Sequence, residues 1–275
     1  MSASPAPARR CPVAWRAGLA GLLLGAGCAT AGGPQAAPPS DGVGVLRRMH
    51  DAYAGQWYRT LTFVQRTTQR APDGTDHVST WYEAISGDRL RIDIGEPAEG
   101  NGVLYTADSL YVVRGGKVTR SLGQGNVFIP FIQGVYLQPI ERTVTQIEPY
   151  HFDLARVRLD RWEGRPTWVV GARDTADLVS PQFWVDRERL IVTRILVPLR
   201  PAQPGGPPAE PQDIRLEGLV PLGGGWLATR VRMLDHGQPL QTEEYSDWRA
   251  GVALAPELFV AQSWSAVPHW HSATP

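Results

Sequence analysis

The residues of this chain that could do chemistry are few and scattered. The cysteines are Cys11 and Cys28, both near the N-terminus. The rest of the chain therefore has no disulfide, no thiolate nucleophile and no cysteine metal ligand. His269 and His271 stand one residue apart and could clip a metal, but they lie in a polar stretch by the C-terminus, and no metal site is expected. Glu243 and Glu244 are neighbours on an expected strand, so they point to opposite faces and cannot pair with each other as acid and base. Asp186 and Glu188 fall in an expected turn, where solvated charge is ordinary. Gly123-Gln124-Gly125 lacks the third glycine and the strand-to-helix setting of a dinucleotide loop. There is no Gly-x-Ser-x-Gly elbow, no His-Glu-x-x-His and no Cys-x-x-Cys. No catalytic residue and no cofactor is expected, and the chain reads as a binding protein rather than an enzyme.

Cys28 has a different setting. Residues 1–16 carry Arg9, Arg10 and Arg16 and no acid, and an apolar run from Ala17 leads to Leu24-Gly25-Ala26-Gly27-Cys28. The run is about a dozen residues, short of the ~20 that a membrane-spanning helix needs. Ala26, Gly27 and Cys28 resemble the end of a bacterial lipoprotein signal peptide, while Gly25 stands where that pattern usually has leucine. The resemblance implies cleavage after residue 27 and a lipid on Cys28. Ala29 in place of an aspartate leans toward the outer membrane, facing the periplasm; without lipidation the product would be soluble in the periplasm. Residues 28–40 read as a flexible tether, being small, proline-rich and uncharged before the domain begins. Loss of residues 1–27 removes three arginines and no acid, which takes the chain from net zero to −3. That sign, with no dense basic run, argues against nucleic acid as a partner.

The body must be built mainly from strands. One helix opens it: Val45, Leu46, Met49, Ala52 and Tyr53 recur at helical spacing behind Ser40 and Asp41, either of which can cap it. Short alternating segments follow, separated by turn chemistry. Pro72-Asp73-Gly74, Gly115-Gly116, Glu163-Gly164-Arg165 and His236-Gly237 mark hairpins. In Arg89–Ile94, Leu90, Ile92 and Ile94 share one face and Arg91 and Asp93 the other. Val127–Tyr150 breaks the rhythm with Pro130, Gly134 and Pro139, then Ile140, Val144 and Ile147 repeat at helical spacing, which reads as a helical insert. Arg200–Pro211 reads as a proline- and glycine-rich loop. Trp162, Trp168, Trp184 and Trp226 fall in or beside expected strands, where aromatics are favoured. Trp264 and Trp270 fall in an expected polar tail, 261–275, where they could touch a membrane surface or a partner.

Tyr82-Glu83-Ala84 with Leu90-Arg91-Ile92-Asp93, Phe183-Trp184-Val185-Asp186 with Arg189-Leu190, Gly224-Gly225-Trp226, Glu244-Tyr245-Ser246-Asp247 and Pro256-Glu257-Leu258-Phe259 follow in order. Together they resemble the outer-membrane lipoprotein carrier superfamily (LolA/LolB-like) over about residues 41–260. The resemblance implies a mainly β domain: an antiparallel, unclosed half-barrel with an N-terminal helix and a short helical insert as plug or lid. It also implies an apolar cavity for acyl chains of lipoproteins or lipids. Strand alternation nominates Phe63, Trp81, Leu90, Ile92, Phe183, Val185, Trp226, Val231 and Met233 as its lining. The expected function is to traffic or sort lipoproteins or lipids at the outer membrane, held there by the anchor. The alternative is an envelope sensor or structural module whose barrel docks a partner protein.

Overall fold

The computed structural model describes residues 38–198 and 211–271. The signal segment, Cys28, the tether up to residue 37, residues 199–210 (which hold nearly all of the expected proline- and glycine-rich loop) and the last four residues lie outside them.

Helix α1 (Gly42–Ala52) starts where the capping residue demands: the Asp41 side chain accepts a hydrogen bond from the Gly44 N–H at 2.7 Å. Its apolar stripe, Val45, Leu46 and Met49, is fully buried.

Among the described residues, thirteen strands make one sheet. The first arm is β1 (Thr60–Arg70), β2 (Asp76–Ser86), β3 (Arg89–Ile94), β4 (Gly102–Tyr105), β5 (Leu110–Arg114) and β6 (Lys117–Leu122). The second is β7 (Val157–Trp162), β8 (Arg165–Val170), β9 (Gln182–Asp186), β10 (Ile191–Val197), β11 (Gln212–Leu222), β12 (Gly225–Asp235) and β13 (Gln238–Ala250). The spatial order is β6-β5-β4-β3-β2-β1-β13-β12-β11-β10-β9-β8-β7, with every neighbouring pair antiparallel. Each arm is a plain meander, so hairpin chemistry alone orders it. One long-range pairing, β1 with β13, joins the arms in the middle of the sheet, with Gln65 opposite Tyr245 and Thr67 opposite Glu243. β6 and β7 are left as free edges, so the sheet is an unclosed barrel.

One boundary differs from the expected pattern. Glu163 and Gly164 both take positive φ, 49° and 78°, which makes a two-residue hairpin turn. Arg165 thereby pairs with Trp162, and β8 begins two residues earlier than its apolar run suggests.

The chain between β6 and β7 must pass from one edge of the sheet to the other, and it does so as the helical insert. A π-helical turn (Pro130–Gly134), α2 (Val135–Leu137) and α3 (Ile140–Ile147) carry Phe131, Val135, Tyr136, Ile140 and Ile147 into the main core beside α1.

The C-terminal segment departs from the expected polar tail. Residues up to 271 lie against the other face of the first arm, where Leu258, Phe259, Ala261 and Trp264 pack on Ala84, Leu104 and Val113. Trp264 is 1 % exposed, and its ring lies 3.9 Å from the Arg91 guanidinium. Gly102 makes room for it: a Cβ there would fall 2.7 Å from the Trp264 ring. The cause is the Arg91–Asp93 pair on β3, which is buried and needs a cover with hydrogen-bond acceptors. The Leu258 and Trp264 carbonyls supply them, each accepting from Arg91 at 3.3 Å. His269 is engaged there too, with Nε2 at 3.1 Å from Asp93 Oδ2, and no group of three metal-ligating side chains occurs among the described residues.

Trp162 and Trp184 also serve packing: the Arg194 guanidinium lies 4.5 Å and 5.1 Å from their rings. Trp168 is buried in the main core. Among the described residues no helix is long and apolar enough to cross a membrane.

Candidate functional site

Between the inner face of the sheet and the helical insert lies a cavity of about 1310 Å³. That exceeds the usual 300–1,000 Å³ of a small-molecule pocket. Strand alternation builds its wall. Leu61 and Phe63 of β1, Trp81, Glu83 and Ile85 of β2, and Leu90 and Ile92 of β3 all face it, as do Val231 and Met233 of β12 and Gln241, Glu243 and Tyr245 of β13.

One end is closed by aromatic rings. Trp57 stacks on Tyr136 of α2 with ring centres 3.7 Å apart, and Tyr58 stacks on Trp57 at 5.2 Å. Hydrogen bonds fix these rings to the sheet and to α1. Tyr58 donates to the Trp226 carbonyl at 2.9 Å, Trp226 Nε1 to the Tyr53 hydroxyl at 2.8 Å, and Tyr136 to the Leu190 carbonyl at 3.1 Å. Burial raises the Tyr58 and Tyr136 hydroxyls above their ordinary range, so they remain neutral donors. The Trp57 indole N–H is buried without a partner. Toward the insert, Tyr150 donates to the Gly125 carbonyl at 3.3 Å, its hydroxyl pushed up to about 12 by burial. Arg142 of α3 pairs with Asp88 in the β2–β3 turn, tying the insert to the first arm.

On the strands of the wall the acidic and amide side chains are Glu83, Gln241 and Glu243. Glu83 and Glu243 are each 6 % exposed, on the two strands that flank β1. Burial raises both carboxyls: Glu83 stands well above its ordinary value, pushed further by Glu243, while hydrogen bonds from Tyr245 and Gln241 oppose the rise at Glu243. The pair therefore keeps a proton at a pH where an isolated carboxylate has lost it. Glu243 accepts from Gln241 and from Tyr245, both at 2.6 Å.

Of the nine residues nominated from the sequence, Phe63, Trp81, Leu90, Ile92, Trp226, Val231 and Met233 line this cavity. Phe183 and Val185 do not. They are wholly buried on β9, where the insert packs directly on the second arm and Phe131 and Phe152 fill the space beside Phe183 at 4.8 Å and 5.3 Å. Sequence reasoning missed Glu83 and Glu243, and with them Trp57, Tyr58 and Tyr136. A signal for Glu83 was present: it shares strand parity with Trp81 and Ile85, which puts a carboxylate on an apolar face.

No family model and no curated protein matches the chain. Solved structures do. A DUF1329 family protein from Desulfovibrio piger is 12% identical with a TM-score of 0.52, over 79% of this chain and 95% of its own. A structure described as an outer membrane lipoprotein-sorting protein domain, from Vibrio parahaemolyticus, is 14% identical with a TM-score of 0.51, over 80% of this chain and 96% of its own. A LolA superfamily protein from Nitrosomonas europaea is 16% identical with a TM-score of 0.49, over 78% and 96%. At these identities the likeness to the first two is one of fold, an unclosed antiparallel β half-barrel.

Proposed function

We propose that this protein binds acyl chains in the cavity between its half-barrel and its helical insert, and helps traffic lipoproteins or lipids in the cell envelope. The cavity carries the reading: its volume is about 1310 Å³ and its wall is mostly apolar. Burial of each methylene from water contributes about 0.8 kcal/mol, so a flexible chain that fills such a space gains affinity with every carbon. Binding rather than catalysis is the proposed activity. The neighbouring lipoprotein-sorting structure supports this by fold. A lipid on Cys28, outside the described residues, would hold the domain beside an outer membrane.

A chain-length series tests the reading. Saturated ligands of eight to sixteen carbons with one headgroup are titrated against purified protein. Affinity is expected to rise about fourfold per added methylene and then level off when the cavity is full. Lipid extracted from the protein as isolated should appear by mass spectrometry. An absence of saturable binding throughout the series sinks the proposal.

A further inference from the structure

The carboxyl pair is out of place in an acyl-chain cavity. A buried carboxyl costs several kcal/mol unless partners satisfy it. Glu243 receives two hydrogen bonds from its own strand. Glu83 has no such help; what acts on it is burial and the neighbouring Glu243. Gln65 lies on β1, between the two strands, and is wholly buried. Its Nε2 donates to Thr67 Oγ1 at 2.8 Å, and its Oε1 has no partner. The other titratable groups facing the pair are the Tyr105 and Tyr245 hydroxyls, both raised by burial and by the carboxyls. The arginine among the described lining residues, Arg142, belongs to the insert and is taken by Asp88.

This acidic patch thus has a surplus of acceptors. Glu83 and Glu243 line the cavity, and the unpartnered Gln65 Oε1 is buried on the strand between theirs. We propose that the patch is a subsite for an ammonium group carried on an alkyl or acyl chain, with the apolar wall taking the chain. An –NH₃⁺ has three N–H donors and no acceptor, which suits the carboxyls of Glu83 and Glu243 on the cavity wall. A carboxylate or phosphate headgroup would bring further negative charge to two buried acids, and a hydroxyl offers one donor and no charge. Binding of the ammonium displaces the proton the empty pair retains, so charge is balanced by proton release to solvent. This inference rests on the acyl-chain reading of the cavity and adds the headgroup it selects.

The test uses three twelve-carbon probes that differ at one end: dodecylamine, dodecanol and dodecanoate. Each competes with a neutral fluorescent hydrophobic probe on the purified protein at pH 7.5. Dodecylamine is expected to bind about tenfold tighter than dodecanol or more, as a charge-assisted hydrogen bond implies, with dodecanoate weakest. In Glu83→Gln and Glu243→Gln the amine-to-alcohol ratio should fall toward one. Equal affinities in the wild-type protein, or a preference that survives both substitutions, overturn the ammonium subsite and leave the acyl-chain reading intact. If no probe binds, both readings fall.

Discussion

Asp93 and Glu83 are two buried carboxylates on adjacent strands of one sheet, and they are treated in opposite ways. Asp93 points to the outer face. Burial alone would raise its carboxyl, but hydrogen bonds from Arg91 and His269 outweigh that and hold it below its ordinary value. Arg91 clasps it with two bonds of 2.8 Å, and the C-terminal segment seals the pair under Trp264. Glu83 points to the inner face, where burial raises it and its acidic neighbour raises it further. The difference separates architecture from binding. A buried charge that the fold needs is closed by the fold's own partners. A buried acid left short of partners in a cavity is where an outside group fits.

The largest effect should come from breaking the closed site. Arg91→Ala strands Asp93 as an uncompensated buried charge and removes the platform under Trp264, and should cost about 3–5 kcal/mol in denaturant unfolding. A loss under about 1 kcal/mol would mean that the outer clasp is not structural.

The open site should behave in reverse. Glu83→Gln removes an acid that the empty fold does not satisfy, and should raise stability by about 1–3 kcal/mol at pH 8. The sign with pH follows from the raised carboxyl. Its contribution is present in full below the unfolded value, near 4.3, and is lost as pH rises through the folded one. The variant's advantage should therefore shrink toward zero at pH 4.5. Asp93→Asn gives the mirror image. The folded Asp93 lies low, so wild-type protein holds its advantage above about pH 4 and loses it as pH falls further. Thermal unfolding of both variants across pH 3–8 checks this, and slopes of the same sign would erase the distinction between the sites.

The smallest stability change should follow Met233→Trp. Met233 is half-buried at the cavity wall, so the larger ring has open space to enter and should shift stability by less than about 1 kcal/mol. Calorimetric titration should show the longest chains losing affinity first. Unchanged binding of sixteen-carbon ligands would place the chain elsewhere.

Much of the fold was legible because its signals are local. Leu90, Ile92 and Ile94 alternate with Arg91 and Asp93 by the period of a strand, and the structure puts them on opposite faces. Asp41 caps α1 through a bond between residues three apart. Seven of the nine residues nominated for the cavity line it, because alternation assigns faces. Phe183 and Val185 obey the same alternation yet are sealed in core, since the insert docks flush on β9. Glu243 was weighed against its sequence neighbour Glu244, which binds Arg66 and Arg230 on the other face. Its working neighbour is Glu83, 160 residues away in the chain and two strands away in the sheet. Trp264 sat among polar residues, and average composition hid a docking indole.

By itself, then, the sequence determined the strands, their turns, the order within each meander and which side chains share a face. These rest on backbone sterics and on contacts between residues a few positions apart. Tertiary structure decided the rest: that β1 pairs with β13, that the C-terminal segment covers Asp93, and that the insert leaves the inner face partly unfilled. Those outcomes depend on how distant surfaces fit and on which buried groups find partners, quantities that no local pattern carries.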